Sequence, residues 1–322
     1  MDCLAQDYTR PLIGRYHTLH TPGSAFNPVA ALSAFHAGFV EKNYTCTGMV
    51  TLVKRPIRCW VSTNGEQHGE LGLSEALACS CNAYFYRMAA DLPPDAFLRG
   101  GEMLGIAGDR FRPVGIGNER VAAIPNPAWK LKYTNQPWSK DDAANVSIGQ
   151  LATEVSPIQM AGVTASLANG ASIIQPWLIA GDRPEPQGFV DYGIGEAQVG
   201  AIREGMWRVV NGEDGTGRRA RSEIIAIAGK SGTAQRGRWD DRIKENVRDY
   251  NAWFIGFAPY DAPKYAICVM VENGKSGGSV AAPIARRILE QITQVESGAI
   301  EVKVGALPPA AGHFDFVEAV EF

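Results

Sequence analysis

Three short stretches of this chain hold side chains that together could transfer an acyl group. Ser24 follows Thr21-Pro22-Gly23 and offers a hydroxyl where an apolar-rich segment begins. Ser80-Cys81-Asn82 offers a second hydroxyl and an amide two residues apart. Lys230-Ser231-Gly232-Thr233 offers an amine, two more hydroxyls and a glycine that lets another backbone come close. A serine acyl enzyme needs a hydroxyl nucleophile, a base to take its proton, and backbone N–H groups for the oxyanion. At a helix N-terminus Ser24 would meet unpaired N–H groups and the positive end of the helix dipole. Taken singly, each stretch also has an ordinary reading, as a helix cap, a chance triplet or a turn. A fourth group is Cys46, Cys59, His68 and Cys81, spaced C-x12-C-x8-H-x12-C. Three thiols and an imidazole suit a four-ligand zinc site, Cys46 and Cys59 could instead pair as a disulfide, and cysteines also bury as small apolar groups. Cys79 and Cys268 read as core residues, and Cys3 as a free thiol near the terminus.

Holding these groups in place takes helices first and strands later. The turn residues of PGSAFNP before VAALSAFHAGF predict a helix beginning near Ser24. A second helix fits Leu73 to Leu92, capped by Ser74 and ended by Pro93 and Pro94, and it would carry Ser80 and Asn82. Segment 93–147 reads as loop-rich, because Pro113, Pro125, Pro127 and Pro137 interrupt any long element. Further helices fit Pro157 to Ala168, stopped by Asn169-Gly170, then Glu196 to Val210 and Ala281 to Ile292. The β-branched and aromatic runs Ile224 to Ala228, Ala252 to Ala258 and Tyr265 to Val271 read as strands, and Lys230 as the start of one. The charge run 236–249 reads as a solvated connection between strands, and Tyr84, Phe85 and Tyr86 as helical core and rim. The order predicts a mixed α/β (α+β) layer fold, with a domain over 1–294 and a loosely attached tail over 295–322.

Composition excludes several classes. The chain has 322 residues, 45% hydrophobic and 20% charged, which is ordinary for a globular protein. A net charge of -3 gives no basic surface for nucleic acid. No apolar run is long enough to span a bilayer, and MDCLAQDYTR is not a signal peptide, so no export signal or membrane anchor is expected in this chain.

In the order S-x-x-K, S-x-N and K-[ST]-G, such triplets mark penicillin-binding proteins and serine β-lactamases. Their surroundings here are more specific than the triplets themselves. TPGS, SCNAYFYRMA, SIGQLATEVSPIQMAGVTASLANG, AGKSGTAQ, AWFIGFAP and VENG…GGSVAAPIARRIL resemble class B penicillin-binding transpeptidases, the elongation type most closely, over Tyr8 to Ile292. The resemblance implies a penicillin-binding protein/serine β-lactamase-like fold, an antiparallel sheet of five strands flanked by helices plus a helical subdomain. It implies acylation of Ser24 by the D-Ala-D-Ala end of a peptidoglycan stem peptide or by a β-lactam. Ser80 would relay protons, Asn82 would hold the substrate amide, and Lys230 would set the electrostatics. Ser231 and Thr233 would bind the substrate carboxylate, with Gly232 between them, and the N–H groups of Ser24 and Thr233 would form the oxyanion hole. The substrate would lie along the strand edge from Lys230 as an added strand. Relatives carry a metal-binding set of acidic, His and Cys residues where this chain has Cys46, Cys59, His68 and Cys81, which implies structural zinc. Work at the periplasmic face of the inner membrane, with envelope elongation proteins as partners, is implied too.

Two features depart from that pattern. Where the family has the lysine of S-x-x-K this chain has Asn27, and an amide cannot accept the serine proton. A helix and two strands of the sheet precede the family's nucleophile, whereas 23 residues precede Ser24, so those N-terminal strands are expected to be missing. Asn27 keeps open a second function, a catalytically inactive module that senses β-lactams or scaffolds an envelope complex. A serine β-lactamase or D,D-carboxypeptidase is a further alternative, against which the class B surroundings argue.

Overall fold

Proline and glycine decide where most elements of this fold begin and end. The computed structural model describes residues 14, 16–53, 56–115, 119–178, 185–240 and 245–299, with the side chains of 236–248 outside that description. The readings of Cys3, of residues 300–322 and of anything before residue 14 therefore lie outside the described residues.

A 3-10 turn over Gly23–Phe26 runs directly into α1, Asn27–His36, which has Pro28 in its first turn. Every residue of α1 up to Phe35 is buried, so the helix passes through the core with Ser24 at its entrance. Two ribbons of three-residue strands follow, which the sequence reading did not foresee. β1, Tyr44–Cys46, pairs with β4, Gly69–Leu71, and β2, Met49–Thr51, pairs with β3, Pro56–Arg58.

The long helix expected over 73–92 is two helices, α2 at Leu73–Ala78 and α3 at Asn82–Ala90. Its cap is Gly72, while the Ser74 hydroxyl donates to the carbonyl of Ala201. The break is a Schellman ending: Cys81 N–H reaches the Ala76 carbonyl, Ser80 N–H reaches the Leu77 carbonyl, and Ser80 takes a left-handed φ of 56°. Between the prolines of 93–147 the chain fits three short helices rather than loops, α4 at Ala96–Met103, α5 at Pro127–Thr134 and α6 at Lys140–Ser147. Pro127 starts α5 instead of breaking it.

α7, Pro157–Asn169, stops at Gly170 as its sequence predicts, and opens with a Ser156–Gln159 capping box that the sequence reading did not name. A small ribbon of β5, Ser172–Ile173, with β6, Gln187–Gly188, leads to α8, Glu196–Asn211. The main sheet is antiparallel in the order β7-β8-β9, with β7 at Ala228–Asp240, β8 at Glu245–Ala258 and β9 at Tyr265–Val271. Two expectations change here. Ile224–Ile227 precede the strand rather than form one, and 236–240 and 245–249 continue β7 and β8 as strand, paired from Arg236–Asp249 to Asp240–Glu245. Among the described residues the sheet has three strands of the family's five.

Alternation along β8 separates two apolar layers. Trp253, Ile255 and Phe257 join the larger core with α1, α3, α6, α7 and much of α8. Ala252, Phe254 and Ala258 face a second core with α9, Ala282–Glu296. α9 runs four residues past the expected Ile292, because Val295 and Glu296 still continue its turns.

Candidate active site

Backbone contact, not side-chain packing, sets the position of Ser24. A β-carbon on Gly232 would stand 2.6 Å from Ala25 N and 2.7 Å from Pro22 O. Gly23 has φ +55°, and a β-carbon there would stand 2.7 Å from Thr233 O. The Ser24 turn and β7 therefore lie against each other as two bare backbones, which glycine alone permits. Ser24 is half-buried and opens onto a cleft of ≈ 440 Å³ lined also by Ser80, Asn82, Ser231 and Thr233. All three stretches singled out in the sequence meet there.

Lys230 lies beneath this cleft with no exposed surface. Its Nζ is 3.0 Å from Ser80 Oγ and donates to the carbonyl of Ser231, also at 3.0 Å. Burial disfavours the ammonium and lowers its pKa to about 7, against a smaller opposing pull from Cys79. The Ser231 hydroxyl donates to Thr216 Oγ1 at 2.8 Å. Thr233 Oγ1 accepts the N–H of Gly277 at 3.2 Å, which leaves its own proton free to face the cleft. Thr233 is exposed and its hydroxyl can donate to a carboxylate, whereas Ser231 is buried with its proton on Thr216.

Ser80 reaches Lys230 because of its unusual backbone. The left-handed position after a helix is commonly glycine, and a residue with a β-carbon loses roughly 1–2 kcal/mol there. Trp60 fixes this turn from outside, its Nε1–H donating to the carbonyls of Cys79 at 3.1 Å and Ser80 at 2.9 Å. Asn82 follows as the first residue of α3, half-buried at the cleft wall.

Asn27 is a replacement in full. Its side chain is 1% exposed and its amide donates to the Ser147 carbonyl at 3.2 Å. Its backbone N–H closes the 3-10 turn onto the carbonyl of Ser24, so it stands one turn behind the nucleophile with nothing to take a proton.

Cys46, Cys59, His68 and Cys81 converge beside the same turn, with donor atoms all within 4.8 Å of one another. His68 Nδ1 is 3.5 Å from Cys46 Sγ and 3.6 Å from Cys59 Sγ, and Cys59 and Cys81 sulfurs are 4.0 Å apart. A tetrahedral zinc with bonds of about 2.1–2.3 Å puts its ligand atoms roughly 3.5–3.8 Å apart, so the set fits that ion. Both Cys46 and Cys59 are free thiols, so the disulfide alternative is not what the structure holds. A hydrogen bond from Cys81, with a smaller one from His68, holds the Cys59 thiol below its usual pKa against the effect of burial. Burial alone would lower His68, but hydrogen bonds to Cys59, Cys79 and Cys46 outweigh it and raise the imidazole to about 11. Cys79 is core as read, and Cys268 is half-buried against the core.

Sequence reasoning missed several members of the cleft. Thr216, Gln150, Ile148, Trp60, Ser276 and Gly278 all line it. Gln150 lies within the SIGQLATEV stretch and Ser276 beside GGSVAAP, so the family-like surroundings marked their neighbourhoods without marking the residues. Trp60 had a neighbour's signal, since Cys59 precedes it.

A serine hydroxyl, a buried lysine and strand-edge hydroxyls around one cleft, between an antiparallel sheet and a helical wall, define a serine acyl-transferase class of site. The chain belongs to the penicillin binding protein transpeptidase domain family, whose profile matches residues 6–290. It is 32% identical over 311 residues to the peptidoglycan D,D-transpeptidase MrdA of Haemophilus influenzae, covering 89% of this chain and 46% of that protein. The structure is similar to Pseudomonas aeruginosa PBP2 in complex with WCK 5153, with a TM-score of 0.77 and 30% identity, over 95% of this chain and 66% of the other. It is similar also to Helicobacter pylori PBP2 in its complex with MreC, with a TM-score of 0.76 and 26% identity, over 93% and 54%. The chain thus spans about half the length of the curated relatives it matches.

Proposed function

We propose that this chain is the acyl-transferring domain of a peptidoglycan D,D-transpeptidase. Ser24 attacks the carbonyl between the two D-alanines of a stem peptide, holds the acyl group as an ester, and yields it to an acceptor amine. One observation carries the reading: Ser24, Ser80, Asn82, Ser231 and Thr233 share one cleft with Lys230 directly beneath. Asn82 orients the substrate amide, Ser231 and Thr233 hold its carboxylate, and the N–H groups of Ser24 and Thr233 receive the oxyanion. β-Lactams enter the same cleft as acylating mimics of the stem peptide. Intact-protein mass spectrometry after penicillin exposure tests this, with one covalent adduct expected on the chain and none on Ser24→Ala. An adduct that survives Ser24→Ala places the nucleophile elsewhere.

The buried, hydrogen-bonded Asn27 supports a second reading, a penicillin-binding-like module that senses β-lactams or scaffolds an envelope complex without turnover. Measurable cross-linking of a stem peptide to an acceptor amine by the chain would reject it.

Zinc belongs to this proposal as a structural ion held by Cys46, Cys59, His68 and Cys81. It would clamp β1, the chain around Cys59 and the start of α3 at the back of the cleft wall. Purified protein is expected to carry about one equivalent, lost on Cys81→Ser. A fully reduced, equally stable protein without metal rejects the site.

Peptidoglycan lies outside the cytoplasmic membrane, so the domain is placed at the periplasmic face of the inner membrane. No described helix is long and apolar enough to cross it. The complex of the Helicobacter pylori relative with MreC supports elongation-complex proteins as partners.

A further inference from the structure

Asn27 leaves Ser24 without the lysine expected one turn behind it, and Lys230 brings an amine to the underside of the cleft, against the Ser80 hydroxyl that lines it. We propose that Lys230, acting through the Ser80 hydroxyl, is the general base that takes the Ser24 proton in this chain. The proposal rests on the reading of Ser24 as the acylated nucleophile.

Four features of the site carry it. Lys230 is wholly buried, and its contacts are neutral, Ser80 Oγ and the Ser231 carbonyl. Ser80 lines the cleft with Ser24 while its hydroxyl touches the amine, so it is the link between the two. Its left-handed backbone, kept although glycine would fit without strain, points the hydroxyl to that junction. The groups around Lys230 leave its charge uncompensated. β8 opposes it with Ile255, and the Gly23–Phe26 turn and the Gly277–Ala281 turn contribute no ionisable side chain. On α8, Arg208 is paired with Glu204 and Glu75, and Arg203 donates to the carbonyls of Leu167, Ala168 and Tyr260. The α2–α3 turn sets the Cys79 thiol near it, a weaker influence than burial. With a pKa near 7, a large share of Lys230 is the free amine at neutral pH, and a free amine can accept along the same 3.0 Å contact.

The step balances. Ser24 Oγ forms its bond to the substrate carbonyl carbon as its proton passes to Ser80 Oγ and the Ser80 proton passes to Lys230 Nζ. Collapse of the intermediate breaks the C–N bond, and the proton returns from the Lys230 ammonium through Ser80 to the leaving nitrogen.

The test is the rate of Ser24 acylation by a fluorescent penicillin, followed by mass spectrometry as a function of pH. In the native chain the rate should rise with pH through about 7 and then level off, because only the neutral amine is a base. Lys230→Arg keeps the charge but cannot give up its proton, and should lose roughly 10²–10⁴-fold, as should Ser80→Gly. Adding Asn27→Lys to Lys230→Arg should restore acylation, since a lysine at 27 becomes the base. A rate flat from about pH 5.5 to 9, or Lys230→Arg labelling as fast as the native chain, overturns the proposal. So does a folded double variant that stays silent, because Lys230 would then be needed for binding. If Lys230→Arg does not fold, the pH profile and Ser80→Gly decide. Labelling of Asn27→Lys alone, with a silent native chain, sinks the Lys230 role and leaves Ser24 acylation standing. Silence at Ser24 in every variant removes the acyl-transfer reading and this role with it.

Discussion

At the scale of single residues the site trades stability for placement. Ser80 occupies the one position in its turn where a side chain is disfavoured, and the hydroxyl there touches Lys230. Ser80→Gly should therefore move the two properties in opposite directions. Relief of the left-handed strain is worth roughly 1–2 kcal/mol, partly offset by the looser unfolded chain. The melting temperature should hold or rise by a few degrees while acylation falls, as calorimetry and penicillin labelling would register. A variant that both melts lower and labels normally would mean that Ser80 is there for packing. Gly232 shows the opposite constraint, a position where an added methyl meets backbone atoms at 2.6 and 2.7 Å. Gly232→Ala should push β7 off the Ser24 turn, cutting acylation at least tenfold with most of the fold retained. Acylation unchanged in that variant would show the two backbones are free to separate.

Among elements, the Ser80 turn also marks where sequence reading succeeds and where it stops. Helix ends set by local chemistry were legible: α7 stops where Asn169-Gly170 said it would. The break between α2 and α3 was not, because serine holds the place usually given to glycine and the apolar pattern runs straight through Cys79 and Cys81. Eight-residue helices between prolines read as loops for a related reason, since Pro127 is as good a start as a stop. Residues 236–240 and 245–249 read as a connection because charge hides a strand in a sequence, whereas cross-strand hydrogen bonds need no apolar side chain. In the site itself the three triplets were legible through their order. Thr216 and Trp60 were not, because neither belongs to a motif itself, although Cys59 of the thiol set stands beside Trp60. Trp60 still has a measurable part, since its indole N–H joins the β3–β4 connection to the carbonyls of Cys79 and Ser80. Trp60→Phe keeps the ring and loses those bonds, so acylation should slow about tenfold with the melting temperature shifted by a few degrees. Equal rates would place the turn's support in α2 and α3 alone.

Across the whole molecule, the thiol cluster and the cleft share one length of backbone. Cys81 is a proposed zinc ligand, and its neighbours on either side are Ser80 and Asn82, both in the cleft. Cys46 comes from β1 and Cys59 from the end of the β3 segment, so an ion there ties two otherwise slight ribbons to the start of α3. The ribbons have three residues per strand and little core of their own, whereas Ser24 is anchored separately through α1 and β7. Loss of the ion should then loosen one wall of the cleft and leave the nucleophile's own anchor intact. Chelation, or Cys46→Ser, is expected to lower the melting temperature and to slow acylation of Ser24 together. The defect should lie in the rate of acylation more than in the position of Ser24, so added zinc should restore both properties to the chelated native chain and neither to Cys46→Ser. Parallel melting curves and penicillin-labelling time courses on metal-loaded, chelated and reloaded protein measure this. A fall in stability with an unchanged labelling rate would show that the ribbons and the cleft move independently, and would confine the zinc to holding β1 to β4.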